Sequence, residues 1–169
     1  MNFNIIIKGG FKKPNRIYFF ETNHSSCYLT NLNKEHMMEN KILVVDDEDY
    51  HRELMQKLLS KLGYEVEAVE SAEDAFSLLD KEQFPVIITD LIMLEMDGVE
   101  FCRKIRETDT ETFVIALTGH TELYDINRLK EVGFDNHLTK PFKIDVIKQA
   151  IQEGIEEFRQ RTETQPDDG

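Results

Sequence analysis

Short apolar runs alternate with helical patterns along most of the chain. Three runs, 42–45, 85–89 and 113–117, are almost wholly apolar and rich in β-branched residues, as expected of strands that are buried on both faces. Two weaker runs, 64–69 and 136–139, are typical of edge strands. Because each run is followed by a helical pattern, the sequence predicts five β/α repeats and an α/β fold.

The segments between the runs carry apolar residues three or four positions apart, which is the spacing of one helix face. Ser71 is the predicted N-cap of the second helix, and Gly63 and Gly133 suit the ends of the first and fourth. The five predicted helix faces are, in chain order: Leu54, Met55, Leu58, Leu59 and Leu62; Ala72, Ala75, Phe76 and Leu79; Val99, Cys102 and Ile105; Leu123, Ile126, Leu129 and Val132; Ile144, Ile147, Ile151, Ile155 and Phe158.

The start of the chain differs in charge from the rest. Residues 1–38 hold five basic and two acidic side chains, while residues 39–169 hold fifteen and thirty-one. We predict a leader of unknown function over 1–38, either disordered or due to a start site assigned too early. A folded domain is expected over 39–160 and a disordered polar tail over 161–169. No output domain is expected after it, so the effector would be a separate protein.

Composition excludes several classes of protein. The net charge of -13 disfavours nucleic-acid binding, because an acidic surface repels the phosphate backbone. Cys27 and Cys102 are too few for a disulfide framework and have no metal-ligand spacing, so we expect two reduced thiols. The longest apolar run near the start, 5–7, is too short for a signal peptide or a membrane span. The prediction is a cytoplasmic protein with no membrane association.

Polar residues that could bind a metal or take part in catalysis follow four of the five predicted strands. Asp46 and Asp47 come directly after the first strand, Asp90 ends the third, Thr118 ends the fourth and Lys140 follows the fifth. In open α/β sheets ligands bind at the carboxyl ends of the strands, so we expect these side chains to converge. Converging carboxylates repel one another unless a divalent cation or a lysine neutralises them. Such a set can hold Mg²⁺ and present one carboxylate to a phosphoryl group.

Residues 39 to about 160 resemble the receiver domain of two-component response regulators. Segment 86–98 is similar to the family's phosphorylation-site motif, and segment 134–142 is similar to its last strand and loop. The resemblance implies a flavodoxin-like five-stranded parallel sheet of order 2-1-3-4-5, with five helices on both faces. It also implies a single-domain signalling protein that catalyses its own Mg-dependent phosphorylation and dephosphorylation but is not otherwise an enzyme.

The resemblance assigns roles to individual residues. Asp90 matches the phosphoacceptor, and Asp46 and Asp47 match the acidic pair that binds Mg²⁺ together with Asp90 and the backbone carbonyl of Ile92. Mn²⁺ also suits this ligand set. The implied phosphoryl donor is a phosphohistidine on a sensor histidine kinase or a histidine phosphotransfer domain.

Further matches concern catalysis and switching. Thr118 matches the hydroxyl that contacts the phosphoryl group, and Lys140 matches the lysine that pairs with it. Phosphorylation is expected to remodel the surface of the fourth helix, fifth strand and fifth helix for the effector. His137 stands where the family usually has the Tyr or Phe that changes rotamer with Thr118, so the switch is expected to be weaker or pH-sensitive.

The sequence departs from the family elsewhere. Leu94 replaces a usual proline, which frees the loop without removing a reacting group. Ile92 and His120 occupy positions that flank the route of attacking water in the family. Isoleucine is expected to shield the acyl phosphate, whereas the histidine is expected to act in the opposite direction.

Other interpretations also fit parts of the sequence. Each site residue, taken singly, suits a structural role such as a helix N-terminal acid, a turn hydroxyl or a solvated lysine. A haloacid-dehalogenase-type phosphohydrolase is one alternative function, because Asp47 and Asp49 have its Asp-x-Asp spacing. A phosphorylation-independent docking module is another. Three histidines, His24, His36 and His51, have no ligand partner at useful spacing, so no zinc or haem site is predicted.

Overall fold

The apolar runs of the sequence form one parallel sheet. In the computed structural model, which describes residues 40–119 and 125–164, the strand order is β2-β1-β3-β4-β5. The strands are β1 (Lys41–Val45), β2 (Glu65–Val69), β3 (Val86–Asp90), β4 (Phe113–Thr118) and β5 (Asn136–Thr139). The helices are α1 (Asp49–Lys61), α2 (Ala72–Leu79), α3 (Gly98–Arg106), α4 (Ile126–Val132) and α5 (Ile144–Glu163). The flavodoxin-like topology is thus confirmed.

Burial explains which runs became central strands. Every residue of β3 and β4 is buried, whereas the edge strands β2 and β5 are only partly buried. Alternate residues of β1 point to opposite faces: Leu43 and Val45 pack with α2, α3 and α4, and Ile42 and Val44 pack with α1 and α5. Two apolar layers therefore hold the sheet from both sides.

The predicted helix ends are confirmed. The Ser71 hydroxyl accepts a hydrogen bond from the Asp74 amide, 3.1 Å away, and caps α2. Gly63 and Gly133 follow α1 and α4 with φ of 94° and 115°. These left-handed conformations favour glycine, so the two residues end the helices where the sequence places them.

The C-terminal boundary predicted at residue 160 is wrong by three residues. Helix α5 continues to Glu163, so residues 161–163 are helical and do not belong to a disordered tail. Arg161 explains the extension, because its guanidinium donates to Glu157 one turn earlier and to Asp135 near β5. The leader 1–38, Leu123 and residues 165–169 lie outside the described residues.

Within the described ranges, the helices include none whose length and apolar character would let it cross a membrane.

Candidate functional site

Four of the predicted site residues meet at one edge of the sheet. Asp46 follows β1, Asp90 ends β3, Thr118 ends β4 and Lys140 follows β5. The pairing of β1 with β3, β3 with β4 and β4 with β5 aligns these strand ends. Asp46, Asp90 and Thr118 are buried, with exposed fractions of 1%, 8% and 3%. The edge therefore holds polar groups that the surrounding core keeps largely from water.

Lys140 is the counter-charge of the two buried acids. Its Nζ donates to Asp46 Oδ2 at 3.1 Å and to Asp90 Oδ2. Burial alone lowers the pKa of the Lys140 ammonium, but the hydrogen bonds and negative charges of Asp90 and Asp46 outweigh burial, so its pKa is raised. The lysine therefore stays protonated and places one positive charge between the two acidic side chains.

Backbone amides of the loop after β3 fix the other carboxylate oxygens. The Ile92 amide donates to Asp90 Oδ1 at 3.0 Å, and the Leu94 amide donates to Asp47 Oδ2 at 2.9 Å. The Thr89 hydroxyl donates to the Asp90 carbonyl oxygen at 3.0 Å. The loop thus orients Asp90 and ties it to the acidic segment after β1.

The sequence prediction missed His51. Its Nδ1 lies 3.3 Å from Lys140 Nζ, 3.5 Å from Asp46 Oδ2 and 3.4 Å from Glu48 Oε1. The statement that His51 has no partner of ligand type is therefore wrong. The sequence feature that could have identified it is its position in the first turn of α1, which begins three residues after Asp46. A side chain in that turn can lie close to the edge of the sheet where Asp46 stands.

The donor atoms at this edge suit a divalent cation. One ligand atom each from Asp46, His51 and Asp90 lies within 4.8 Å of the other two, so the three residues can approach one cation together. The Asp46 and Asp90 carboxylates share the Lys140 ammonium, and the Asp47 carboxylate accepts a hydrogen bond from the Leu94 amide in the loop after Asp90. The remaining negative charge and the carboxylate oxygens are what a hard cation requires.

We expect replacement of Lys140 by methionine to lower the free energy of unfolding by about 1–3 kcal/mol in EDTA. Removing the ammonium leaves two buried carboxylates without a counter-charge. Because the Lys140 side chain is partly exposed, the expected loss of stability is smaller than for a fully buried ion pair. Saturating Mg²⁺ should recover part of the loss, because a bound cation offsets the same repulsion.

Urea denaturation with and without Mg²⁺ measures this difference. The exposed Lys148, replaced by methionine, is the control and should change stability by no more than about 0.5 kcal/mol. An equal stabilisation of wild type and Lys140→Met by Mg²⁺ would contradict the assignment of Lys140 as the counter-charge.

Of the two histidines predicted to affect switching and dephosphorylation, the structure describes His137 but not His120. His137 lies partly buried on β5, paired in register with Ala116, and Thr118 pairs with Thr139. The Thr118 carbonyl also accepts a hydrogen bond from the Lys140 amide at 2.8 Å. His120 lies outside the described residues. The roles of Thr118, His137 and His120 in switching and dephosphorylation stay predictions.

The second acid that the phosphohydrolase alternative needs is exposed and pairs with an arginine. The Asp49 side chain is 91% exposed and pairs with Arg52 in the first turn of α1. An Asp-x-Asp mechanism needs both carboxylates at the reacting centre, and only Asp47 of that pair contacts the loop after β3. The alternative therefore lacks its second acid.

Cys102 is unsuited to nucleophilic chemistry. It is fully buried and has a free thiol, and burial raises its pKa to about 12. A thiol that stays protonated is a poor nucleophile and metal ligand. Cys27 lies outside the described residues.

Comparisons with known proteins agree with this geometry. Residues 42–152 match the family described as the response regulator receiver domain. The chain is 34% identical over 116 residues to sporulation initiation phosphotransferase F of Bacillus subtilis, covering 69% of this chain and 94% of that protein. It is also 34% identical over 110 residues to the sensor histidine kinase RcsC of Escherichia coli, covering 65% of this chain but only 12% of the kinase.

A solved structure with the same fold holds a cation. It is the receiver domain of a sensor histidine kinase from Pseudomonas aeruginosa, with a magnesium ion coordinated in its active-site cleft. The two proteins are 26% identical with a TM-score of 0.64, over 69% of this chain and 98% of that one.

Proposed function

The chain belongs to the response regulator receiver family, and on that premise we propose that Asp90 accepts a phosphoryl group within a two-component phosphorelay. The observation that carries the proposal is the pairing of Lys140 with Asp90 and Asp46 at the carboxyl edge of the sheet. That arrangement orients the Asp90 carboxylate and removes most of it from water, as a nucleophile for phosphoryl transfer requires.

The proposed donor is a phosphohistidine of a sensor kinase or a histidine phosphotransfer protein. An Asp90 carboxylate oxygen attacks phosphorus, the phosphorus–nitrogen bond of the donor breaks, and the donor imidazole leaves with the bonding electron pair. The product is an aspartyl phosphate. Lys140 and the Thr118 hydroxyl donate hydrogen bonds to the transferred phosphoryl oxygens. No other substrate is turned over.

A divalent cation completes the proposed site. Asp46, Asp47, Asp90 and the Ile92 carbonyl would hold it, and Mg²⁺ or Mn²⁺ supplies positive charge to the phosphoryl oxygens when bound. The support is the oxygen-rich ligand set and its excess of negative charge. The magnesium in the receiver of the Pseudomonas aeruginosa kinase adds to that support.

Apolar side chains beside the acids offer a docking surface for the donor. Tyr50 and Leu54, one turn apart on α1, are 73% and 50% exposed, and Leu94 on the loop after Asp90 is 79% exposed. The Leu94 amide bonds to Asp47, so this loop adjoins the acids. We expect a phosphotransfer protein to bury these side chains as it presents its phosphohistidine in the cytoplasm.

The output surface is proposed on the other side of the cleft, around α4, β5 and α5. Phosphorylation shifts a pre-existing equilibrium in which Thr118 and His137 rearrange. Ile126 on α4 and Ile144 and Val146 on α5 are exposed apolar residues that a separate effector protein would cover. The process under control is then set by that effector.

Incubation with acetyl phosphate and Mg²⁺ tests the proposed function. Intact-mass spectrometry should show one added phosphoryl group per chain, absent when EDTA replaces Mg²⁺, and reduction with borohydride should place it on Asp90. Hydrolysis of a small phosphatase substrate with continuous turnover would instead support the phosphohydrolase alternative. A chain that takes up no phosphoryl group under these conditions would contradict the proposal.

We expect Ile92→Asn to shorten the half-life of the aspartyl phosphate by roughly tenfold. Ile92 is 49% exposed, and its backbone amide bonds to Asp90. Its side chain has no group that orients water, whereas the amide of asparagine can hydrogen-bond to the attacking water, with about 1.4 kcal/mol of transition-state stabilisation. Decay of the labelled protein, separated from the phosphoryl donor and kept in Mg²⁺, measures the rate.

The size-matched control is Ile92→Leu, which should leave the half-life nearly unchanged. Unchanged decay in Ile92→Asn, together with slower decay in His120→Ala, would assign the control of water to His120 and overturn the role of Ile92.

A further inference from the structure

His51 brings a nitrogen ligand to an acidic cleft that otherwise offers oxygen ligands. It lies in the first turn of α1, five residues after Asp46, and its side chain is 31% exposed. Its Nδ1 is 3.5 Å from Asp46 Oδ2. A ligand atom of the ring also lies within 4.8 Å of a carboxylate oxygen of Asp90. The ring is thus part of the same cluster as the two buried acids.

The contact with Lys140 fits a ring nitrogen whose lone pair faces the cleft. Lys140 Nζ lies 3.3 Å from His51 Nδ1, and an ammonium can donate hydrogen bonds but cannot accept them. A hydrogen bond between them therefore requires Nδ1 to accept, with its lone pair directed into the cleft. The same lone pair is the group with which a neutral imidazole binds a metal ion.

A nitrogen ligand changes which cations a site prefers. Carboxylate and carbonyl oxygens suit Mg²⁺ and Ca²⁺, whereas imidazole adds affinity for first-row transition ions and little for hard cations. We propose that His51 is a protein ligand of the cation in this cleft, beside Asp46 and Asp90, and makes it prefer transition-metal ions such as Co²⁺ over Mg²⁺. This inference rests on the metal site of the proposed function and adds the specificity of that site.

Metal binding by the full chain without an affinity tag tests the inference. Dissociation constants for Co²⁺ and Mg²⁺ are measured by equilibrium dialysis at one fixed pH, for wild type, His51→Ala and His51→Gln. We expect both variants to bind Co²⁺ about tenfold or more weakly, with Mg²⁺ affinity changed no more than about twofold. Glutamine keeps a polar side chain but removes the imidazole lone pair.

Proton NMR of the Co²⁺-loaded protein reports ligation directly. A histidine bound through Nδ1 keeps a proton on Nε2, so wild type should show a hyperfine-shifted resonance that disappears in D₂O. The resonance should be absent from both His51 variants. It should persist in His137→Phe, which removes a histidine that is not in the cluster.

Two outcomes would overturn the inference. A shifted exchangeable resonance that survives in His51→Ala would assign the nitrogen ligand to another residue. Equal losses of Co²⁺ and Mg²⁺ affinity in both variants would mean that His51 only positions Lys140 and the acids. Mg²⁺-dependent labelling of Asp90 in the same proteins separates the two proposals, since unlabelled wild type would contradict the proposed function whatever the Co²⁺ result.

Discussion

Replacing Asp90 by asparagine is expected to abolish phosphoryl incorporation from acetyl phosphate or a phosphorylated donor. The amide has nearly the same shape as the carboxylate but is a far weaker nucleophile, so the acyl phosphate cannot form. Its side-chain oxygen can still accept the Ile92 amide hydrogen bond. The expected result is therefore a folded protein without the added mass of a phosphoryl group.

The matched control is Asp80→Asn, at the exposed end of α2, which should be labelled like wild type. Circular dichroism of both variants establishes that the fold is kept. An undiminished, hydroxylamine-sensitive aspartyl phosphate in Asp90→Asn would show that another carboxylate is the acceptor, with Asp46 and Asp47 the first to test.

Replacing Gly98 by alanine is expected to lower the free energy of unfolding by about 2–4 kcal/mol. A Cβ atom at Gly98 would lie 2.1 Å from the Asp90 carbonyl oxygen and 2.9 Å from Leu91 Cα. Both contacts are with backbone, which cannot rotate away as a side chain can. The start of α3 or the end of β3 must move, and the Gly98 amide would lose its 3.0 Å hydrogen bond to the Leu91 carbonyl.

The atoms that the added Cβ would contact belong to the backbone of Asp90 and Leu91. Because Asp90 must then shift, Gly98→Ala should also slow phosphorylation. Urea denaturation measures the loss of stability, and the labelling rate with acetyl phosphate measures the effect on the site. The control is Gly119→Ala, where an added Cβ meets nothing within 4 Å and the change should stay within about 0.5 kcal/mol. Similar stabilities of the two variants would contradict the close approach at Gly98.

The apolar pattern predicted the secondary structure because the burial of a segment determines which residue types occur within that segment. Segments 85–89 and 113–117 have few polar residues, as strands covered on both faces must, and they became the central strands β3 and β4. Ser71 and Gly63 marked helix ends through their own hydrogen-bonding and conformational preferences. The strand order came from the resemblance to a family, since no local pattern states which strands are neighbours.

The candidate site was predictable where its residues follow strands. Asp46, Asp90, Thr118 and Lys140 each stand at a carboxyl end of a strand, and parallel strands bring those ends to one edge. Their types and spacing therefore indicated phosphoryl chemistry before any distance was known. His51 was missed because it belongs to a helix, and the direction of its ring depends on how α1 packs on the sheet.

The amino-acid sequence by itself determined the α/β class, the positions of strands and helices, and the set of residues gathered around Asp90. Each of these depends on the properties of a residue and its near neighbours along the chain. Only the tertiary structure decided the contact of His51 with Lys140 and the extension of α5 through Arg161 and Asp135. Those contacts join residues 89 and 26 positions apart, and their distances depend on the packing of whole elements, which local pattern does not record.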